Sequence, residues 1–147
     1  MAYFVAMPFV RAATADDVPI LSTFEWTVPA DAIANGECFV AGETDVVQAW
    51  LTYSRGFYKR PYVDQIFVLA KARQRGLGDA LLAHVESICP ESKLWISTAL
   101  TNIPMQRLLH RRGYRVSGVI HGLARTPEIV YFKPINLVNN DPLSNIG

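Results

Sequence analysis

Arg73-Gln74-Arg75-Gly76-Leu77-Gly78 sets two guanidinium groups and two glycines side by side, with Lys71 just ahead of them. Glycine admits a left-handed backbone and lets a ligand oxygen come close to the chain, while arginine brings charge and forked donors. Directly after this turn, Leu77, Ala80, Leu81, His84, Val85 and Ile88 recur at helical spacing. Directly before it, Ile66-Phe67-Val68-Leu69 is an apolar strand. A strand, a basic turn and a helix start present consecutive backbone N–H groups and a positive dipole end to an anion. A phosphate or pyrophosphate is the natural occupant of such a place. Two familiar nucleotide patterns do not fit: there is no G-x-x-x-x-G-K-[ST] loop, and Leu81 stands where G-x-G-x-x-G needs its third glycine.

The elements that must position this turn follow in chain order. Residues 9–12 read as a first strand. Thr14 caps a helix start that carries Asp16, Asp17 and an early Pro19. Phe24, Trp26 and Val28 lead into a short helix at 29–36, stopped by Asn35-Gly36. The segment serves either as core or as the wall of a substrate pocket. Strands at 38–41 and 46–53 flank a link of hairpin composition, Gly42-Glu43-Thr44-Asp45. Polar turns around 54–56 and 59–61 precede a strand at 62–68, on which Tyr62, Asp64, Ile66 and Val68 share one face. After the glycine turn a helix is expected from Gly76 to Cys89, with His84 packed on its apolar stripe and Pro90 as its stop. A strand at 93–98 and a helix from Asn102 through Arg112 come next, the latter with Met105, Leu108 and Leu109 on its apolar face and Gly113 at its end. Strands at 114–120 and 129–133 close the chain. This order predicts a mixed α/β fold with one crossover helix between two parallel strands.

The chain has 147 residues, 50% apolar and 18% charged, which suits one soluble domain over 1–133 followed by a tail at 134–147 that packs little. A net charge of +1 does not advertise nucleic acid or an anionic membrane as partner. Cys38 and Cys89 are the two cysteines and lack metal-type spacing, so they read as buried thiols of a reducing cytoplasm, with no metal site. The apolar start at residues 1–8 lacks a basic region and ends before Arg11, which supports neither a signal peptide nor a membrane span.

Taken together, three signatures resemble the GNAT superfamily of acyl-CoA-dependent N-acetyltransferases, over residues 10–133. The first is an [RQ]-x-x-G-x-[GA] turn between the fourth strand and the long helix, matched by Arg73, Gly76 and Gly78. The second is a strand, an asparagine and a short helix closed by Gly-aromatic, matched by residues 95–98, Asn102, Gly113 and Tyr114. The third is the finish, Gly113-Tyr114-Arg115-Val116-Ser117-Gly118-Val119-Ile120 through Pro127-Glu128-Ile129-Val130-Tyr131-Phe132-Lys133. The resemblance implies a mostly antiparallel sheet with a parallel, splayed pair at strands 4 and 5, flanked by helices.

It also implies acetyl-CoA as cosubstrate and a primary amine, small-molecule or peptide, as acceptor. Gln74, Arg75, Gly76, Leu77, Gly78 and Asp79 would present N–H groups to the pyrophosphate, with Arg73 adding charge. Val68, with Phe67 or Leu69 beside it, would bond the pantetheine arm along the main chain, and Asn102 would contact that arm's far side. Dimerisation through the last strands follows from the resemblance too. The sequence departs from the family at Ala70, where proline is usual, at Asp79, whose charge opposes the phosphates, and at Leu109, where many members carry the tyrosine that protonates the leaving thiolate.

Direct attack by an amine requires a base and donors for the oxyanion. Asp64 is the first candidate for the base, about 13 Å along the strand from Val68, a span that water can bridge. Glu25 is the second, and Glu128 reads as structural or pocket-lining. Tyr114 and Thr98 are conceivable acids, and the Val68 N–H is the expected oxyanion donor. The alternative is a CoA-binding sensor or interaction module without catalysis, motivated by Leu109.

Overall fold

In the computed structural model of the protein, residues 7–136 are described. The readings of residues 1–6 as no leader and of 137–147 as a loose tail lie outside them. The strands are β1 (Phe9–Ala12), β2 (Cys38–Glu43), β3 (Val46–Phe57), β4 (Arg60–Val68), β5 (Lys93–Ala99), β6 (Arg115–Ile120) and β7 (Glu128–Pro134). The α-helices are α1 (Val18–Leu21), α2 (Ala30–Ala34), α3 (Leu77–Ile88) and α4 (Ile103–Arg111). The sheet order is β1-β2-β3-β4-β5-β7-β6. β4 and β5 run parallel, with Tyr62 opposite Trp95 and Val63 opposite Ile96. The pairs β1–β2, β2–β3, β5–β7 and β6–β7 are antiparallel. The expected mixed fold, mostly antiparallel with a parallel fourth and fifth strand, is the one formed. The chain divides into two compact units: the described residues through Tyr53 with Asp64–Val85, and Ser54–Val63 with the described residues from Glu86 on.

In the first unit the Asp17 carboxylate organises the chain entry. It accepts from Arg11 at 2.7 and 2.9 Å and from the Thr14 N–H at 2.8 Å, which ties the end of β1 to the turn before α1. Those bonds, Arg11's first, hold its pKa below the ordinary carboxylate value. The core is aromatic at its centre. Trp50 of β3, fully buried, stacks on Phe67 of β4 at 6.1 Å, and Phe67 meets Phe24 at 5.9 Å. Leu21, Val28, Cys38 and Val40 complete the cluster around Trp50. Phe24 is therefore core, while Trp26 two residues on is exposed.

Two connections differ from their sequence reading. Gly42 and Glu43 belong to β2, and only Thr44 and Asp45, at φ 47° and 63°, form the link. Gly42 sits at a register shift where any Cβ would overlap the Val46 carbonyl, so glycine serves strand packing there, not the turn. Of the residues read as polar turns, 54–56 and 60–61 are strand. β3 and β4 are joined by Tyr58 and Lys59 alone, both left-handed at φ 51° and 60°. Tyrosine and lysine are poor residues for that conformation, which is why the tight turn was not apparent.

The buried line of α3 also shifts from the expected one. It runs through Leu77, Leu81, Leu82 and Val85 and continues at Cys89, while Ile88 is 46% exposed. Steps of four, not alternating threes and fours, set the inward face over this helix. His84, half-buried, packs at a tilt on Phe39 with ring centroids 4.7 Å apart.

In the second unit, Leu94 and Ile96 of β5, Leu109 of α4 and Tyr131 of β7 are fully buried. Asn102 caps α4 by accepting from the Met105 N–H at 3.2 Å. Glu86 gathers three donors: Arg112 at 3.0 and 2.7 Å, the Tyr114 hydroxyl at 2.8 Å and Lys133 Nζ at 2.9 Å. Phe57, Tyr62, Trp95 and Phe132 form a half-buried aromatic row, with ring centroids 5.2 Å apart for Phe57–Tyr62, 5.7 Å for Phe57–Trp95 and 5.4 Å for Trp95–Phe132. Pro134, assigned to the tail from sequence, is the last residue of β7.

Candidate functional site

The basic turn takes the backbone form that its composition called for. After β4 a short 3₁₀ segment, Ala70–Ala72, leads into Arg73. Gln74 at φ 63° and Gly76 at φ 80° are both left-handed, with Arg75 between them. Left-handed residues set one apart are a recurring feature of backbone anion nests. Apart from its two chain neighbours, no heavy atom lies within 4 Å of where a Gly76 Cβ would stand, so that position faces open space. The first helical bond of α3 runs from Ala80 N to Gly76 O at 2.9 Å. The N–H groups of Leu77, Gly78 and Asp79 precede it and lie at the positive end of a helix that runs through Ile88.

The charges around the nest are adaptable. Lys71, Arg73, Gln74 and Arg75 are exposed. Arg75 sits 3.5 Å from Glu43 across an exposed pair, an interaction worth well under about 1 kcal/mol that a phosphate can outcompete. Arg73 does more than add charge. Its Nε donates to the Val68 carbonyl at 3.3 Å, tying the turn to the strand that feeds it. Phe67 and Leu69 pack their side chains on the Trp50 cluster, and Leu69 N donates to Gln48 O at 2.9 Å. Val68 therefore sits between two anchored neighbours, its carbonyl engaged by Arg73. The structure brings Phe67, Val68, Leu69 and residues 73–79 together in one unit. The 3₁₀ segment starts at Ala70, so the chain turns there without proline.

Of the two acidic candidates for a base, Asp64 is exposed on β4 and Glu25 is exposed in the link after α1. In the second unit Leu109 is fully buried in the apolar face of α4. Tyr114 is buried, and its hydroxyl donates to Glu86. Burial first, then the Glu86 carboxylate, pushes that phenol far above its usual range. Thr98 is buried on β5. Two residues that the sequence reading passed over, Tyr62 and Ser97, are hydrogen-bonded at 2.7 Å, and Ser97 continues to Glu128 at 3.1 Å. Their one sequence signal is that each lies on a strand face with other polar or aromatic residues, which is too common to single them out.

Cys38 and Cys89 are free thiols, both buried, and burial pushes Cys38 up to about 11. Among the described residues no group of His, Cys, Asp and Glu stands together so as to hold a metal ion, and no helix is long and apolar enough to cross a membrane.

The sequence model of the Acetyltransferase (GNAT) family matches residues 7–114. No curated protein matches the sequence. Among solved structures, an acetyltransferase of the GNAT family from Bacillus cereus is 26% identical, with a TM-score of 0.80 over 88% of this chain and 98% of its own. The ribosomal-protein-S18-alanine N-acetyltransferase from Escherichia coli shares the fold at 16% identity, with a TM-score of 0.73 over 92% of this chain and 98% of its own. The protein yncA from Salmonella typhimurium, solved with its cofactor acetyl-CoA, shares it at 18% identity, with a TM-score of 0.71 over 92% of this chain and 98% of its own. The open anion nest lies inside the matched segment, between a β-strand and the helix that follows it, and the chain belongs to the GNAT acetyltransferase family.

Proposed function

We propose that the protein holds acetyl-CoA at the β4–α3 turn and transfers its acetyl group to a primary amine by direct attack, without an acyl-enzyme. The observation that carries this is the turn itself: an open cradle at Gly76, two left-handed residues, three helix-start N–H groups and exposed cations, in a chain of this family. Those features fit a pyrophosphate. Bound acetyl-CoA supplies an activated thioester, and the remaining work falls to the chain.

In this reading Gln74, Arg75, Gly76, Leu77, Gly78 and Asp79 hold the pyrophosphate through their N–H groups, and Lys71, Arg73 and Arg75 offset the charge of Asp79. Phe67 and Leu69, packed on the Trp50 cluster, fix the strand so that Val68 N–H donates to the arm or the oxyanion. Asn102 is assigned the contact to the arm that the family resemblance implies. Tyr114 anchors the Glu86 cluster, and since Leu109 has no proton to give, the thiolate takes its proton from water. The reading implies a compartment with acetyl-CoA, which we take to be the cytoplasm.

Asp64, exposed on its strand, accepts the amine proton through water and draws the ammonium electrostatically. Asp64→Asn is expected to lower kcat by about tenfold, at the weak end of acid–base catalysis because water intervenes. Unchanged turnover would remove Asp64 from the proposal. Glu25 stands behind it and is tested in the same way by Glu25→Gln.

A second reading, a CoA-binding module without turnover, is favoured by Leu109, fully buried where many members place the acid. Release of free CoA thiol across a panel of primary amines decides between them. Thiol release with at least one amine supports the enzyme, and acetyl-CoA binding with no release from any supports the module.

A further inference from the structure

The net charge of +1 is the sum of two opposed halves. The described residues of the first unit, 7–53 and 64–85, carry four Lys and Arg against nine Asp and Glu, a formal charge of −5. Those of the second, 54–63 and 86–136, carry ten against three, a formal charge of +7. Asp141, outside the described residues, completes the total. Segregation on this scale points to an anionic partner that the whole-chain average conceals. Even the acids of the second unit are outnumbered where they stand. Glu91 meets both Arg55 and Arg60, and Glu86 meets both Arg112 and Lys133.

The same unit carries its aromatic rings on one face of the sheet. Tyr62 lies opposite Trp95, Trp95 opposite Phe132, and Phe132 opposite Arg115. The alternate residues Leu94, Ile96 and Tyr131 belong to the other face and are fully buried, whereas Tyr62, Trp95 and Phe132 are half-buried. Strand alternation adds Arg60 and Lys93 to the half-buried face, and Lys93 Nζ stands 5.7 Å from the centre of the Phe132 ring. Phe57 extends the row to the β3–β4 turn, where Tyr58 packs on it edge-on at 5.0 Å and is itself 85% exposed. Tyr58 and Lys59 are left-handed, a strained state for residues with a Cβ, and the turn so formed keeps a ring and an ammonium at the end of the row.

We propose that this face of the second unit binds single-stranded nucleic acid, stacking bases on the aromatic row and holding phosphates with Lys59, Arg60, Lys93 and Arg115. Every base offers a π-face and every link a negative charge, so a single strand answers both features at once. Aromatic rings on a four-stranded sheet stack about two or three bases in this manner, and β4, β5, β7 and β6 are four adjacent strands. A duplex keeps its bases stacked inside and answers only the cations. An acidic peptide likewise brings charge without a ring for each charge. The exposed pair of Arg60 with Glu91, at 3.4 Å, is weak enough for a phosphate to displace.

The test is fluorescence anisotropy of a labelled oligothymidylate of about twelve nucleotides, titrated with the full chain at about 50 and about 200 mM salt. Four phosphate contacts give a slope of log K against log salt near about −3, roughly a 50-fold loss of affinity across that range. Tyr58→Ala is expected to weaken binding by about tenfold with the slope unchanged. Lys93→Ala is expected to reduce the slope by about 0.7, the share of one phosphate, and Arg115→Ala repeats that measurement at a second cation. All three side chains are exposed, and an unchanged Tm shows that each variant is folded. No binding at the lower salt, equal affinity for a duplex of the same length, or wild-type affinity in Tyr58→Ala overturns the proposal. So does polyglutamate or a phosphatidylglycerol vesicle held as tightly as the strand, since the surface would then be a general anion or membrane site. Neither acetyl-CoA nor an amine is present, so the outcome stands apart from the acetyl-transfer reading.

Discussion

Gly76→Glu is expected to abolish the thermal stabilisation that acetyl-CoA gives the wild-type protein while leaving it folded. At a ligand concentration near one hundred times Kd the wild type should gain about 2.7 kcal/mol, a rise in Tm of roughly 5–10 °C for a chain of this size. The glutamate side chain would leave Gly76 into open space, since nothing lies within 4 Å of its Cβ position, so it meets no packed atom. Its cost to the fold is the left-handed backbone at φ 80°, about 1–2 kcal/mol for a residue with a Cβ. Its cost to the ligand is larger, because volume and negative charge then occupy the cradle meant for phosphate. Gly76→Ala separates the two effects. It carries the same backbone strain without the charge, and should melt as low as the glutamate variant while keeping part of the acetyl-CoA shift. A wild type unmoved by acetyl-CoA, or a glutamate variant that shifts as fully as wild type, would refute the assignment of the turn.

The second large effect is on stability. Glu86→Gln should cost about 3 kcal/mol and lower Tm by roughly 6–12 °C. Glu86 is 11% exposed, and its cationic partners Arg112 and Lys133 are 19% and 22% exposed. Glutamine keeps one acceptor oxygen but turns the other position into a donor and removes the negative charge, which leaves two poorly hydrated cations without their counter-charge and one of the three donors without its acceptor. Burial alone would push the Glu86 carboxyl up, and the bonds from Arg112, Lys133 and Tyr114 outweigh it, so the net pKa lies below the ordinary value. The sign of the linkage follows: a depressed folded-state pKa contributes stability above the unfolded value, near 4.3, and that contribution is lost as pH falls through the folded value. Denaturation of the wild type between about pH 5 and 2 should therefore show a decline that the glutamine variant has largely lost. Parallel pH curves for the two proteins would contradict this account of the cluster.

How much of this was legible in the sequence depends on distance along the chain. The anion turn was legible because everything it needs, strand, cations, glycine and helix start, is contiguous. Asn102 was legible for the same reason, since a cap bonds a donor three residues on. The Tyr58-Lys59 connection was not, because its left-handed pair uses residues that do not announce one. Ile88 was misplaced because a period of 3.6 leaves the last turn of a twelve-residue helix uncertain by one step. The Glu86 cluster and the Tyr62–Ser97–Glu128 chain were the least legible. Each draws its members from separate elements that only strand register and helix packing bring within hydrogen-bond reach, and no local pattern encodes that.

The burial of both cysteines has a practical consequence. Cys38 is 0% and Cys89 5% exposed, and the chain contains no others. Thiol reagents attack thiolates that they can reach, and here burial denies access and, at Cys38, also opposes ionisation. The folded protein is therefore silent to a disulfide reagent of the Ellman type, so every thiol counted during turnover belongs to released CoA. The same silence makes the two sulfurs an internal gauge. Should a variant such as Glu86→Gln open while it is being assayed, thiol will appear without any amine present, up to two equivalents per chain. A single colorimetric trace then reports catalysis and structural integrity together, and the amine-free control tells them apart.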